Sequence, residues 1–205
     1  LLPPDFYEGT AMQVARSLLG KVLLRRLPAG LAAGVISEVE AYQGEDDLGC
    51  HARAGKTPRT TVMYGPPGRA YVYFTYGMHW LLNAVTGEEN SPAAVLIRSV
   101  IPVAGMDLLC QFRPHPTRWS AEHPELGWTD GPAKLCKAFA IDGALNGVDL
   151  CDTSNGLWIA DGREVGNALV VTGPRVGLFT VPEPWKSIPW RWRILPQVTL
   201  SQLIG

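Results

Sequence analysis

Cysteine is scarce in this chain: Cys50, Cys110, Cys136 and Cys151 are its only four, widely spaced, with no Cys-x-x-Cys pair and no histidine at zinc-ligand spacing. That excludes a dense disulfide framework and gives no metal site, so free thiols in a reducing compartment are expected. An excess of charge of either sign is also missing. A formal net charge of −1 argues against an indiscriminate polyanion binder, although a local basic face can still meet phosphates. No apolar run approaches the roughly 20 residues of a membrane span. The opening Leu1-Leu-Pro-Pro-Asp5 has neither a basic nor an apolar leader region, and without methionine it reads as a trimmed start. Repeats, low-complexity tracts and interdomain linkers are absent as well. At 205 residues, 46% hydrophobic and 18% charged, the chain suits one packed core, so a single cytoplasmic domain over 1–205 is expected.

What is present concentrates in residues 68–83, which read GRAYVYFTYGMHWLLN. Tyr71, Tyr73 and Thr75 alternate with Val72, Phe74 and Tyr76, the period of a strand, which puts two tyrosines on one face. Gly77 interrupts before a second apolar segment, predicting a β-hairpin whose tip is Tyr76-Gly77-Met78. An exposed aromatic tip has two readings. One is a core hairpin with a single tyrosine in solvent; the other is a wedge beside a stacking platform for a flat ring.

Earlier in the chain, Thr10 and Gln13 fit a capping box, and Ala11, Val14, Ala15, Leu18 and Leu19 form one apolar helix face before Gly20. Strands are expected at 21–27 and 32–42, turned by Pro28-Ala29-Gly30. In the second, alternation puts Ile36, Glu38, Glu40 and Tyr42 on one face, with Val35, Val39 and Ala41 on the other. Two carboxylates and a tyrosine on one strand face are either solvated or the wall of a site. His51 alone is open between a structural and a site role. Residues 53–60 combine basic side chains, hydroxyls and free N–H groups, which suits a phosphate clamp as well as a solvated loop.

The apolar run 93–101 is broken by Arg98, a charge expensive to embed unless paired, so it is expected to face Glu40 or Glu38. Helices are expected over 103–113 and 133–140, the latter opened by Pro132 with Lys134 in its first turn, a natural phosphate position. Residues 114–130 yield no functional reading. Short strands are expected at 157–160, 168–172 and 190–195, with Trp190-Arg-Trp-Arg193 read as an edge strand.

At Glu38-Val-Glu-Ala-Tyr42, His51, Thr57-Pro-Arg59, Tyr71-Val-Tyr-Phe-Thr-Tyr-Gly-Met78, Asn83, Gly131-Pro-Ala-Lys-Leu-Cys136 and Arg175-Val-Gly177, the chain resembles the alkyladenine (3-methyladenine) DNA glycosylase family. The resemblance runs in order through nearly the whole chain. It implies an α+β fold: one mixed domain around a curved antiparallel sheet flanked by helices, with a protruding hairpin that enters DNA. It further implies base excision repair of alkylated or deaminated purines in double-stranded DNA, by a monomer near the nucleoid, with no cofactor, no metal and no lyase activity.

Carried over position by position, the resemblance makes Glu40 the general base, with Arg98 and the Val176 backbone helping to hold the attacking water. It makes Tyr42, His51, Tyr73 and Asn83 the base pocket, Tyr76 and Met78 the intercalating tip, and Thr57, Arg59 and Lys134 the phosphate contacts. His79-Trp80, the loop 84–92 and residues 113–128 depart from the family pattern. Two rivals come from the residues themselves. Glu38 and Glu40, about 6.5 Å apart along a strand, could be the acid/base pair of a saccharide hydrolase. The aromatic tip could also belong to a non-catalytic binder of distorted nucleic acid.

Overall fold

The computed structural model describes residues 1–114, 128–198 and 200–204. Helix α1 (Ala11–Leu18) starts where the sequence says it should: the Thr10 side chain accepts from the Gln13 N–H, and the Gln13 side chain accepts from the Thr10 N–H. Its buried face is Ala11, Val14, Ala15 and Leu18, where each large apolar side chain removed from water contributes about 1.5–3 kcal/mol.

Among the described residues eight strands form one sheet. They are β1 (Val22–Leu27), β2 (Gly30–Gln43), β3 (Ala70–Thr75), β4 (His79–Val85), β5 (Ala93–Ala104), β6 (Leu157–Ala160), β7 (Val170–Gly173) and β8 (Arg191–Ile194). The main order is β3-β4-β5-β2-β1-β6, with every pairing antiparallel. Among the described residues three further α-helices complete the fold: α2 (Met106–Phe112), α3 (Pro132–Ala138), which packs on β4 and β5, and α4 (Leu200–Ile204). The arrangement is α+β, as the resemblance implies.

The alternation of the strands separates two apolar clusters. Val39 and Ala41 of β2, Val72 of β3, Leu82 and Ala84 of β4, and Val95 and Ile97 of β5 join the main core with α1. The intervening Tyr71, Val85 and Ala94 face a smaller cluster with Cys50, Ala52, Met63 and Tyr64, against which Tyr42 and Tyr73 pack. The candidate site is built on this second face.

Several expectations shift. Strand β5 runs on to Ala104, so the helix expected from 103 begins only at Met106. The run Trp190-Arg-Trp-Arg193 is not an edge: β8 pairs with β2 on one side and β7 on the other. It occupies the stretch of β2 beyond the point where β1 stops pairing, at Val35. Strict alternation in β2 also fails. Register shifts flank Glu38, so one extra residue on β2 is followed by one on β5, and that residue is Arg98. Ile36 consequently lies in the main core beside Val35 instead of sharing a face with Glu40. The poorly matching stretch 113–128 falls largely outside the described residues.

Candidate active site

A cavity of about 340 Å³ opens on the second face, a size suited to a small flat ligand. Glu40, Tyr42, His51, Tyr73, Asn83, Arg98 and Val176 all line it, and Tyr76 stands at its mouth. Met78, Thr57, Arg59 and Lys134 do not.

Glu40 is fully buried. Its Oε1 accepts from the Val176 N–H at 2.7 Å and lies 3.2 Å from an Arg98 nitrogen, while its Oε2 accepts from the Tyr42 hydroxyl at 2.8 Å. Burial raises its pKa above the usual carboxylate range, and Arg98, the Val176 N–H and Tyr42 pull against that rise. Arg98 reaches two carboxylates because it sits in the bulge, donating through Nε to Glu38 at 3.0 Å as well. Both partners expected for Arg98 are therefore engaged.

Glu38 itself is absent from the cavity wall. It lies between Arg98 and Arg191, the latter at 3.2 Å, and cannot flank a bond from the opposite side of a substrate held against Glu40. That removes the geometry a saccharide hydrolase would need.

The aromatic wall comes from β3 and the short helical turn His51–Ala54. The Tyr73 and His51 rings meet nearly edge-to-face at 4.5 Å between centroids, and Tyr71 and Tyr73 stand 5.3 Å apart. His51 Nδ1 is 3.0 Å from the Tyr71 hydroxyl. Burial, then Arg59 and Arg53, push the His51 pKa down to about 4, so the ring is neutral near pH 7. Asn83 is held by its amide, which donates to the Tyr71 carbonyl at 2.9 Å. Cys50 also lines the cavity, its thiol pushed up to about 12 by burial. Cys50, Cys136 and Cys151 are free thiols, and no group of three or more His, Cys, Asp or Glu among the described residues could hold a metal.

The tip is sharp. Tyr76 and Gly77 both have positive φ, 51° and 67°, and the Met78 N–H closes the turn on the Thr75 carbonyl. Tyr76 is 83% exposed and Met78 67%.

The three residues expected at phosphates are less free. Thr57 is hydrogen-bonded to Thr60, and Lys134 pairs with Asp130 at 2.8 Å. Arg59 leans over the Tyr73 ring at 5.1 Å, with one nitrogen 3.5 Å from His51 Nε2.

A family model described as methylpurine-DNA glycosylase matches residues 5–197. The chain belongs to the methylpurine-DNA glycosylase family. As a member it is a DNA glycosylase, an enzyme of DNA repair. Similar chains include one from Methanocella arvoryzae, 46% identical over 94% of this chain and 91% of its own, and one from Desulfitobacterium hafniense, 43% identical over 92% of each. A third, from Anaeromyxobacter dehalogenans, is 44% identical over 98% of this chain and 86% of its own. All three are provisionally named 3-methyladenine DNA glycosylases. No helix among the described residues is long and apolar enough to cross a membrane.

Sequence reasoning gave no role to Asp47, Arg175 or Trp190, which in this glycosylase lie directly behind the site. Arg175 is buried, forks onto Asp47, and stacks on Tyr42 and Trp190. The available signal was the Arg175-Val-Gly177 match, and it could not reveal a partner 128 residues away.

Proposed function

We propose that this glycosylase extrudes a damaged purine of the 3-methyladenine, 7-methylguanine, hypoxanthine and ethenoadenine class from duplex DNA. The base is held among Tyr42, His51 and Tyr73, and its N-glycosidic bond is hydrolysed by water activated by Glu40. The observation that carries this reading is Glu40 itself: a buried carboxylate with both oxygens fixed, on the wall of a ring-lined cavity.

Taking a nucleotide out of the stack costs a few kcal/mol, and stacking returns about 1–3 kcal/mol per base. A cationic lesion gains further from the electron-rich ring faces. Tyr76 fills the space the nucleotide leaves, with Met78 beside it, and Asn83 crowds a 2-amino group. Cleavage develops positive charge on the sugar, which Glu40 stabilises while taking a proton from the attacking water. The bonding pair of the C1′–N bond leaves with the base. Arg98 and the Val176 N–H meet at Glu40 Oε1 and orient the water there. Thr57, Arg59 and Lys134 approach the phosphates, Lys134 by exchanging its contact with Asp130.

The test is single-turnover excision from a lesion-containing duplex. Glu40→Gln is expected to retain lesion binding and lose at least about 100-fold in rate, the low end for a positioned base. A near-normal rate in that variant, with Glu38→Gln inactive instead, overturns the assignment.

A further inference from the structure

A polar group behind the cavity touches neither the cavity nor solvent. Arg175 is 4% exposed and does not line the pocket, yet Val176, Gly177 and Leu178, which follow it, do. Its guanidinium forks onto Asp47, whose side chain is also fully buried, with one of the two contacts at 2.8 Å. It donates to the Ala41 carbonyl at 3.0 Å and the Trp185 carbonyl at 3.3 Å. Two rings close over it, Tyr42 at 4.7 Å and Trp190 at 5.2 Å. Tyr42 presents its ring to the cavity as well, so Arg175 backs that ring from behind.

Asp47 ties in a third segment. It accepts from the Gln43 N–H at 3.2 Å and the Gly49 N–H at 2.9 Å, which fixes the loop leading to His51. Gly49 leaves room for this: a Cβ there would stand 2.7 Å from the Arg175 guanidinium. A buried ion pair of this kind is poor evidence for stability, because desolvation offsets most of the attraction. What it fixes is position.

We propose that Arg175 is a positioning residue for the reaction at Glu40: its pair with Asp47, clamped between Tyr42 and Trp190, locks residues 174–178 onto β2, keeping the Val176 N–H on Glu40 and the Tyr42 ring in place. The inference rests on Glu40 as the base. The groups facing Glu40 are Tyr42 and Glu38 on its own strand, Arg98 from β5, Tyr73 from β3 and the Val176 N–H; Arg191 of β8 reaches it only through Glu38. Arg98 and the two donors favour the carboxylate, and burial and Glu38 oppose it. Loosening 174–178 weakens a favourable donor, so Glu40 titrates at higher pH and the acidic limb of the rate profile moves up.

Arg175→Lys keeps a cation beside Asp47 but loses the fork and the flat stack. Trp190→Phe keeps a ring, strands no charge, and decides the question if Arg175→Lys does not fold. The full chain is assayed by single-turnover excision against pH on a lesion duplex, with active fraction from titration and folding from thermal melting. For Arg175→Lys the expected result is a neutral-pH rate lower by about 10–100-fold, the scale of an ångström-sized misplacement, with the acidic limb shifted upward; Trp190→Phe shifts it in the same direction by less. Folded variants with a wild-type limb and only a reduced active fraction would overturn the inference. Glu40→Gln separates the two levels: if it is inactive while the Arg175→Lys profile is unchanged, only this inference fails, and if it is fully active, the reading beneath it fails.

Discussion

Tyr42 and Glu40 are two residues apart on one strand, and the Tyr42 hydroxyl donates to Glu40 Oε2 at 2.8 Å. Burial and the adjacent carboxylate raise the Tyr42 pKa well above that of a free phenol, so it stays a donor across the working range. Tyr42→Phe keeps the ring and removes the donor. Lesion binding should therefore change little, while the acidic limb of the rate profile moves to higher pH. The neutral-pH rate should fall on the order of 10-fold, as expected for a hydrogen bond to a charged group. A parallel loss of binding with an unmoved limb would make the ring, not the hydroxyl, the contribution of Tyr42.

Glu40 is a cost to the fold. Its folded pKa lies above its unfolded value because burial outweighs the surrounding donors. The folded state thus holds the proton more tightly, and the ionised form subtracts from stability at pH above the folded pKa. As pH falls to the unfolded value the penalty disappears. Glu40→Gln should melt at a higher temperature than the wild type near neutral pH, with the gap narrowing on acidification, a trade between stability and activity. A lower melting temperature at neutral pH would mean that Arg98, Tyr42 and Val176 more than compensate burial.

The parts of this site that could be read from the sequence are those whose partners are near in the chain. Tyr71 and Tyr73 share a face because strand periodicity spans two residues, and the Thr10–Gln13 cap spans three. Arg98 needed a carboxylate on energetic grounds alone, and has two. What escaped was set by pairing across the sheet. The bulges beside Glu38 arise from register between β2 and β5, and they put Ile36 in the main core while Glu38, two residues along the strand from Glu40, lies outside the cavity. The Asp47–Arg175 contact joins an acidic loop to a segment that no periodicity marks. The alternation of Trp190 and Trp192 with Arg191 and Arg193 suits an edge strand, and nothing in it reveals the outer partner β7, which is short and half-exposed.

His51 gives a second pH dependence, of opposite sign. Arg59 only donates, so its approach at 3.5 Å makes Nε2 the acceptor and leaves the Nδ1–H to donate to the Tyr71 oxygen. The folded pKa is about 4 against 6.5 for the free side chain. Between these values the unfolded chain carries a proton that the folded protein refuses, so stability falls as pH falls through that window. His51→Gln should flatten the decline in melting temperature across it. An unchanged decline would assign the acid sensitivity to other groups.

Tyr76 combines exposure with strain. At 83% exposed it buries almost nothing, and at φ 51° it adopts a backbone conformation that costs a non-glycine residue on the order of 1–3 kcal/mol. So exposed a ring has little contact among the described residues to offset that cost, which fits a residue whose contacts form on DNA. Tyr76→Gly should raise the melting temperature slightly by relieving the strain. Tyr76→Ser removes the ring without that relief. Both should lower the flipping equilibrium of a fluorescent ethenoadenine duplex by roughly 10–100-fold, since a stacking partner contributes about 1–3 kcal/mol and about 1.4 kcal/mol is a decade. Excision from a lesion that is already unpaired should suffer less, because there the ring has less to displace. If flipping survived in Tyr76→Ser and only bond cleavage slowed, Tyr76 would belong to the cavity it borders rather than to the helix stack, and the strained turn would serve to aim it inward.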